Sequence, residues 1–235
     1  MKTLILLTVL TFPLTILGQE EKSEKKFKDN FSASVDITTS GQFVNYSKLN
    51  ATINQFDFGN FSNTNLALGL NAGLWLYNSG FLGVEWNYIS NTKNPTNRNG
   101  QTIYLDGKRV LIMTGYKFYG TDKINLSGFL GYGGNILSLT TKNDISFNNF
   151  NSSLTSLTAG STDLINEIIE FTIGGDYLFR PKDMDCEKRK LRIGLRTGYQ
   201  YALNNRWQSG TNEIQGPSVN NNGFIVKLIF GQIQN

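Results

Sequence analysis

The chain has 235 residues, of which 39% are hydrophobic and 12% aromatic but only 17% charged, against about 25% charged for an ordinary soluble protein. Glycine is abundant at 24 and proline scarce at 4, which excludes collagen-like and proline-rich disordered chains. With no histidine and one cysteine, Cys186, the chain has no Ser-His-Asp or Cys-His nucleophile, no histidine-ligated metal and no thiolate zinc site. The net charge of +4 comes from scattered basic residues rather than a basic stripe interleaved with aromatics, so no nucleic-acid partner is expected. No cofactor is expected either.

Met1 and Lys2 precede the apolar run Leu4, Ile5, Leu6, Leu7, Val9 and Leu10, followed by Pro13 and by Gly18 just before Gln19. A charged start, a short apolar core and a small residue read as a secretory signal peptide over residues 1–18, too short for a membrane span. No cysteine follows it to carry a lipoprotein anchor. Residues 19–29, QEEKSEKKFKD, carry dense mixed charge and read as a solvated arm. Beyond it there is no apolar run of about 18 residues, so no transmembrane helix is expected.

From residue 30 to 235 the pattern has period two. Phe31, Ala33, Val35 and Ile37 alternate with Ser32, Ser34, Asp36 and Thr38. Leu66 to Leu76 alternates with Gly69, Asn71, Gly73 and Trp75, and after Asn78-Ser79-Gly80 the run Leu82, Val84, Trp86, Tyr88 completes a hairpin. Further runs begin at Val110, Ile124, Ile169, Leu191 and Phe224, giving eight strands, an even number as single-chain bacterial barrels have. Residues 161–171, STDLINEIIEF, also fit a short amphipathic helix capped by Ser161 or Thr162. Residues 43–58 fit an extension of the first hairpin.

Short connections near 78–80, 119–123 and 180–188 alternate with longer ones, rich in Asn, Ser, Thr and Gly, near 41–63, 93–100, 142–164 and 205–219. That asymmetry of turns and loops is expected of a transmembrane barrel. Aromatics fall into two groups, Tyr77, Tyr116, Phe118, Tyr177, Phe179 and Phe230 near the turns, and Trp86, Tyr88, Tyr132, Tyr199 and Tyr201 toward the loops. Two such groups are expected at the two edges of a hydrocarbon band.

The leader, the hairpin at 66–88, GFLGYGGNIL at 128–137, IGGDYLF at 173–179 and NGFIVKLIF at 222–230 together resemble the small bacterial outer-membrane β-barrel domains of the OmpA-like and OmpX-like kind. The resemblance covers about residues 30–235 and implies an all-β, eight-stranded antiparallel up-and-down barrel in the outer membrane, contacting its lipids. It implies roles ranging from structural and adhesive to transport. The chain departs from the pattern in ending Gly231-Gln232-Ile233-Gln234-Asn235 rather than on an aromatic residue.

If the apolar face is outward, parity fixes the inward charges as Asp36, Glu85, Glu170 and Asp176 against Lys117, Arg192, Arg196 and Lys227. About a turn centred near 184, two cross-strand ion pairs are expected, Asp176 with Arg192 and Glu170 with Arg196. An eight-stranded interior is just wide enough to be filled by such side chains, so a plugged barrel is the leading expectation and a narrow pore the alternative. The leading function is a non-enzymatic membrane scaffold with exposed loops able to meet a surface ligand. The competing readings are a small pore or transporter, a hydrolase using Glu85 and Glu170 as acid and base, and a soluble exported β-sheet binder.

Overall fold

The computed structural model describes residues 31–77, 79–97, 100–143, 161–180, 189–209 and 211–234. The leader, the charged arm and Cys186 lie outside the described residues. The elements are β1 (Phe31–Asn45), α1 (Ser47–Asn54), β2 (Thr64–Leu76), β3 (Gly80–Asn91), β4 (Gln101–Gly120), β5 (Ile124–Asn143), β6 (Ser161–Phe179), β7 (Arg189–Ala202), β8 (Arg206–Ser209), β9 (Asn212–Ile214) and β10 (Asn220–Gln234).

From β1 to β7 each strand pairs antiparallel with the next, and β10 pairs with both β7 and β1, closing an eight-stranded up-and-down barrel. Closure leaves no open sheet edge in the wall. The small hairpin β8–β9 stands on the loop end of β6 through Asp163–Gln208 and its neighbours. Short connections gather at one end of the barrel, together with the start of β1 and the finish of β10; the long connections gather at the other.

Period-two alternation fixes the faces. Along β1, Ser32, Ser34, Asp36, Thr38, Ser40 and Gln42 are buried while Val35, Ile37 and Phe43 are half exposed. The same inversion holds on β2, where Leu66, Leu68, Leu70 and Leu74 face out and Asn71 is fully buried. Polar inside and apolar outside is the reverse of a water-soluble sheet protein. The outward run Leu66–Leu76 spans ten residue steps, about 33 Å along the strand, and a tilt of about 40° reduces this to about 25 Å of height. That is the height of an outer-membrane barrel's apolar band.

Aromatic rings mark the edges of the band. At the loop edge Phe43, Phe224, Tyr199 and Phe171 are successive register partners across four strands, all about half exposed. Trp86, Tyr88, Tyr132 and Tyr201 are exposed on the same side, and Tyr77, Tyr116, Phe118, Tyr177 and Phe230 at the turn edge. Outward charges begin above the loop edge: Tyr88 is opposite Lys108, and Ser90 Oγ donates to Asp106 at 2.8 Å.

Two local expectations are corrected. Residues 161–171 form the loop end of β6, not a helix, because each residue from Ser161 on has a partner on β5 and Leu164, Asn166, Ile168 and Glu170 alternate inward. The ladder overrides the capping signal, and the β-branched Ile165, Ile168 and Ile169 suit it. Residues 43–45 do continue β1, but 47–54 coil into α1 rather than extending a hairpin. Leu49 and Ile53, four apart, give that helix one buried face, and Asn50 ties it down, its Oδ1 accepting from Phe61 N at 2.8 Å and its Nδ2 donating to Phe61 O.

The helix closes the loop end. Leu49 and Ile53 pack with Tyr46, Phe61, Ile89, Leu105, Leu137, Leu164 and Trp207 in one apolar cluster drawn from α1 and seven strands, Val44 and Ala67 adding β1 and β2. Tyr46 is fully buried, its hydroxyl accepting from Asn65 Nδ2 at 2.7 Å, and burial pushes the phenol above its ordinary pKa. A second apolar cluster lies nearer the turns, where Trp75, Phe81 and Phe129 meet at 5.1–6.1 Å between ring centres. Glycines make room for it: a Cβ at Gly73 would lie 2.4 Å from the Phe81 ring, and one at Gly115 would lie 2.5 Å from Phe129.

Candidate functional site

Between the two apolar clusters the barrel is filled with charge. Asp36 on β1, Glu85 on β3, Arg109 on β4, Glu170 and Asp176 on β6, Arg192 and Arg196 on β7 and Lys227 on β10 are all buried. Four acids balance four bases. Each lies on the inward parity of its strand, so the wall's register brings residues far apart in sequence to one level.

The larger group spans the barrel. Glu85 and Glu170 project from β3 and β6, and Lys227 from β10 reaches both: its Nζ donates to Glu85 Oε1 at 2.6 Å and to Glu170 Oε1. Arg109, from the opposite wall, lies 3.4 Å from Glu85 Oε1 and 3.1 Å from Glu170 Oε2, and donates to Gln200 Oε1 at 3.0 Å. Asn87 Nδ2 gives Glu85 Oε1 a further bond at 2.8 Å. Two acids are thus clamped between two bases, and four strands are cross-braced through the lumen. Such a network is favourable only because each charge that has left water finds partners.

The smaller group lies toward the turns. Arg192 forks onto Asp36, Nε donating to Oδ1 at 3.0 Å and Nη2 to Oδ2, while Nη1 sits 3.6 Å from Asp176 Oδ2. The planar fork matched to a carboxylate is the strong form of such a pair. Glycine again allows it: a Cβ on Gly231 would fall 2.1 Å from Asp36 Oδ1, and one on Gly194 would fall 2.1 Å from Asp176 Oδ1.

Arg196 stands apart. Its guanidinium carbon lies 3.7 Å from the centre of the Phe129 ring, and none of its three nitrogens has a hydrogen-bond partner among the described residues. A cation over a ring face gains a quadrupole attraction that partly offsets lost hydration.

The expected pairs therefore divide. Asp176 does approach Arg192, as the diagonal neighbour of a ladder in which Arg192 faces Leu178. Glu170 does not meet Arg196. The ladder sets Asp176 opposite Gly194, a midpoint of 185 rather than 184, so Glu170 faces Gln200 and Arg196 faces Gly174. Four residues, about 13 Å along the strand, separate the two levels. Lys117 shares the inward parity but sits half buried at the turn-end mouth, away from both groups. Arg109 takes the fourth basic place, one that the strand read as starting at Val110 leaves out. The signal was present in its odd parity, shared with Lys117.

Among the described residues, no three Cys, Asp or Glu side chains gather as a metal site. Glu85 and Glu170 each give Oε1 to Lys227, and both are closed off from solvent. The arrangement supplies cohesion across the lumen rather than a proton donor and acceptor facing a substrate space.

No family model and no curated protein matches the chain. Among solved structures, the chain is similar to Neisserial surface protein A, at 13% identity and a TM-score of 0.42 over 87% of this chain and 96% of that one. It is similar to a major outer membrane protein from Thermus thermophilus, at 10% identity and a TM-score of 0.44 over 86% and 98%. It is also similar to Ail, the attachment invasion locus protein of Yersinia pestis, solved with the heparin analogue sucrose octasulfate, at 12% identity and a TM-score of 0.42 over 87% and 98%.

Proposed function

We propose that this chain is a non-enzymatic outer-membrane β-barrel, exported by the leader at 1–18, with a charged arm at 19–29 and a barrel domain at 30–235. Its work is to hold a rigid scaffold in the bacterial outer membrane and to present the long loop end outward, where a surface ligand is met. The observation that carries this reading is the inversion of the wall, apolar and half exposed outside, charged and buried inside. A surface of this kind is stable only against hydrocarbon. The lipids of the membrane are then the protein's first partners.

Two stoppers argue against the pore. Lys227 and Arg109 bind Glu85 and Glu170 across the lumen, and the apolar cluster around Leu49 and Ile53 closes the loop end. The test is gel mobility of the membrane fraction with and without boiling, followed by single-channel recording in planar bilayers. Heat-dependent migration with little current supports the scaffold. A chain found soluble without detergent overturns the membrane reading, and steady conductance overturns the plugged lumen.

A further inference from the structure

The turn-end mouth of the barrel differs from the rest of the interior. A cavity of about 560 Å³ opens there, lined by Trp75, Lys117, Asp122, Asn125 and Lys190 among others. Lys117 and Lys190 both line this cavity, and partial burial, with the Lys190 charge adding to it, holds the Lys117 amine below its ordinary pKa. Among the described residues, Lys190 Nζ donates to the backbone carbonyl of Asp122, at 3.3 Å. Among the described residues neither lysine has a carboxylate within ion-pair distance, whereas all six ion pairs formed lie deeper in the barrel. The floor is Trp75, 4% exposed, whose indole N–H has no acceptor among the described residues.

The wall is shaped for this arrangement. The β4–β5 register shifts between Lys117 and Tyr119, a bulge of the kind that re-aims a side chain at a barrel rim. It leaves Phe118 and Tyr119 both exposed while Lys117 stays turned to the mouth. Gly120 keeps the space clear, since a Cβ there would lie 3.0 Å from Asn125 Oδ1 and 3.1 Å from the Lys117 chain. Among the described residues, the charged side chains lining the mouth are Lys117 and Lys190 against the exposed Asp122, a positive balance. Deeper in the barrel, Asp36 and Asp176 share the single guanidinium of Arg192.

Unpaired cations converging on a polar cavity hold oxyanions by charge-assisted hydrogen bonds. We propose that the turn-end mouth is a binding site for a phosphate group, held between Lys117 and Lys190 above the Trp75 floor. The site stands on the barrel geometry alone; the membrane reading supplies only the compartment it faces, the periplasm.

The test follows the Trp75 indole N–H resonance of the refolded barrel in zwitterionic detergent, identified by its loss in Trp75→Phe. One arm titrates inorganic phosphate at constant ionic strength, and the other titrates a short-chain anionic phospholipid into the micelle. A saturable shift in the first arm identifies a soluble phosphate, and a shift in the second alone identifies a lipid headgroup. In either case the doubly substituted Lys117→Gln/Lys190→Gln chain should bind at least about tenfold more weakly, with its heat-dependent gel mobility unchanged. No saturable shift in either arm overturns the site, as does a shift of equal affinity in the doubly substituted chain.

Discussion

Replacing Lys227 by Met tests the cross-bracing of the lumen directly. Its ammonium is the group that both Glu85 and Glu170 bind through Oε1, and all three side chains are buried. Removing one partner of a buried ion pair costs about 3–5 kcal/mol, because the other charge stays behind without compensation. Arg109 remains within 3.4 Å of both acids, so the lower end, about 3 kcal/mol, applies here. For a domain of this size each kcal/mol moves the midpoint by about 2–4 °C, and the expected drop is roughly 6–12 °C. The assay is the temperature at which half of the detergent-solubilised protein loses its compact gel mobility. Neutralising one of the orphaned acids as well, in Glu85→Gln/Lys227→Met, should recover part of the loss, since Glu170 and Arg109 then remain as one acid with one base. An unshifted midpoint for Lys227→Met, or a double variant no better than the single one, would refute the reasoning.

Three further outcomes follow from the same geometry. Arg192→Met removes a forked partner of Asp36 and should cost about 3–5 kcal/mol, whereas Arg196→Met removes an arginine with no hydrogen bond and only a ring contact, and should cost about 2 kcal/mol or less; thermal midpoints of the two compared side by side check the order. Gly231→Ala sets a Cβ 2.1 Å from Asp36 Oδ1 and 2.4 Å from the Val35 carbonyl, so the overpacked site should lose about 1–3 kcal/mol in urea unfolding from lipid vesicles. Leu70→Arg, at the middle of the outward band and 53% exposed, should cost about 2–4 kcal/mol in a bilayer; a water-soluble barrel would tolerate it, and the same vesicle unfolding tells the two apart.

The eight strands, their apolar and polar faces and the alternation of short and long connections are written in residues two apart, a signal that needs no knowledge of neighbours. That is why Asp36, Glu85, Glu170, Asp176, Arg192, Arg196 and Lys227 are assigned to the inward face by parity, and the structure has them buried. Which of them touch depends on register, and register is a property of two strands and finally of the closed ring. A one-residue error in the centre of the β6–β7 ladder displaces its partners by two, which is enough to pair Glu170 with the wrong arginine. The same limit applies at the loop end. STDLINEIIEF reads locally as a helix, but β5 and the β8–β9 hairpin hold its first residues as strand; SKLNATIN coils because Leu49 and Ile53 find an apolar floor supplied by strands far away in sequence. By itself the sequence determined which face of each strand is buried, since that is set by alternation along one strand. Only the tertiary structure decided that Lys227 and Arg109 join Glu85 to Glu170 and that Lys117 is left at the mouth, because ring closure alone sets the height at which each inward side chain enters the lumen.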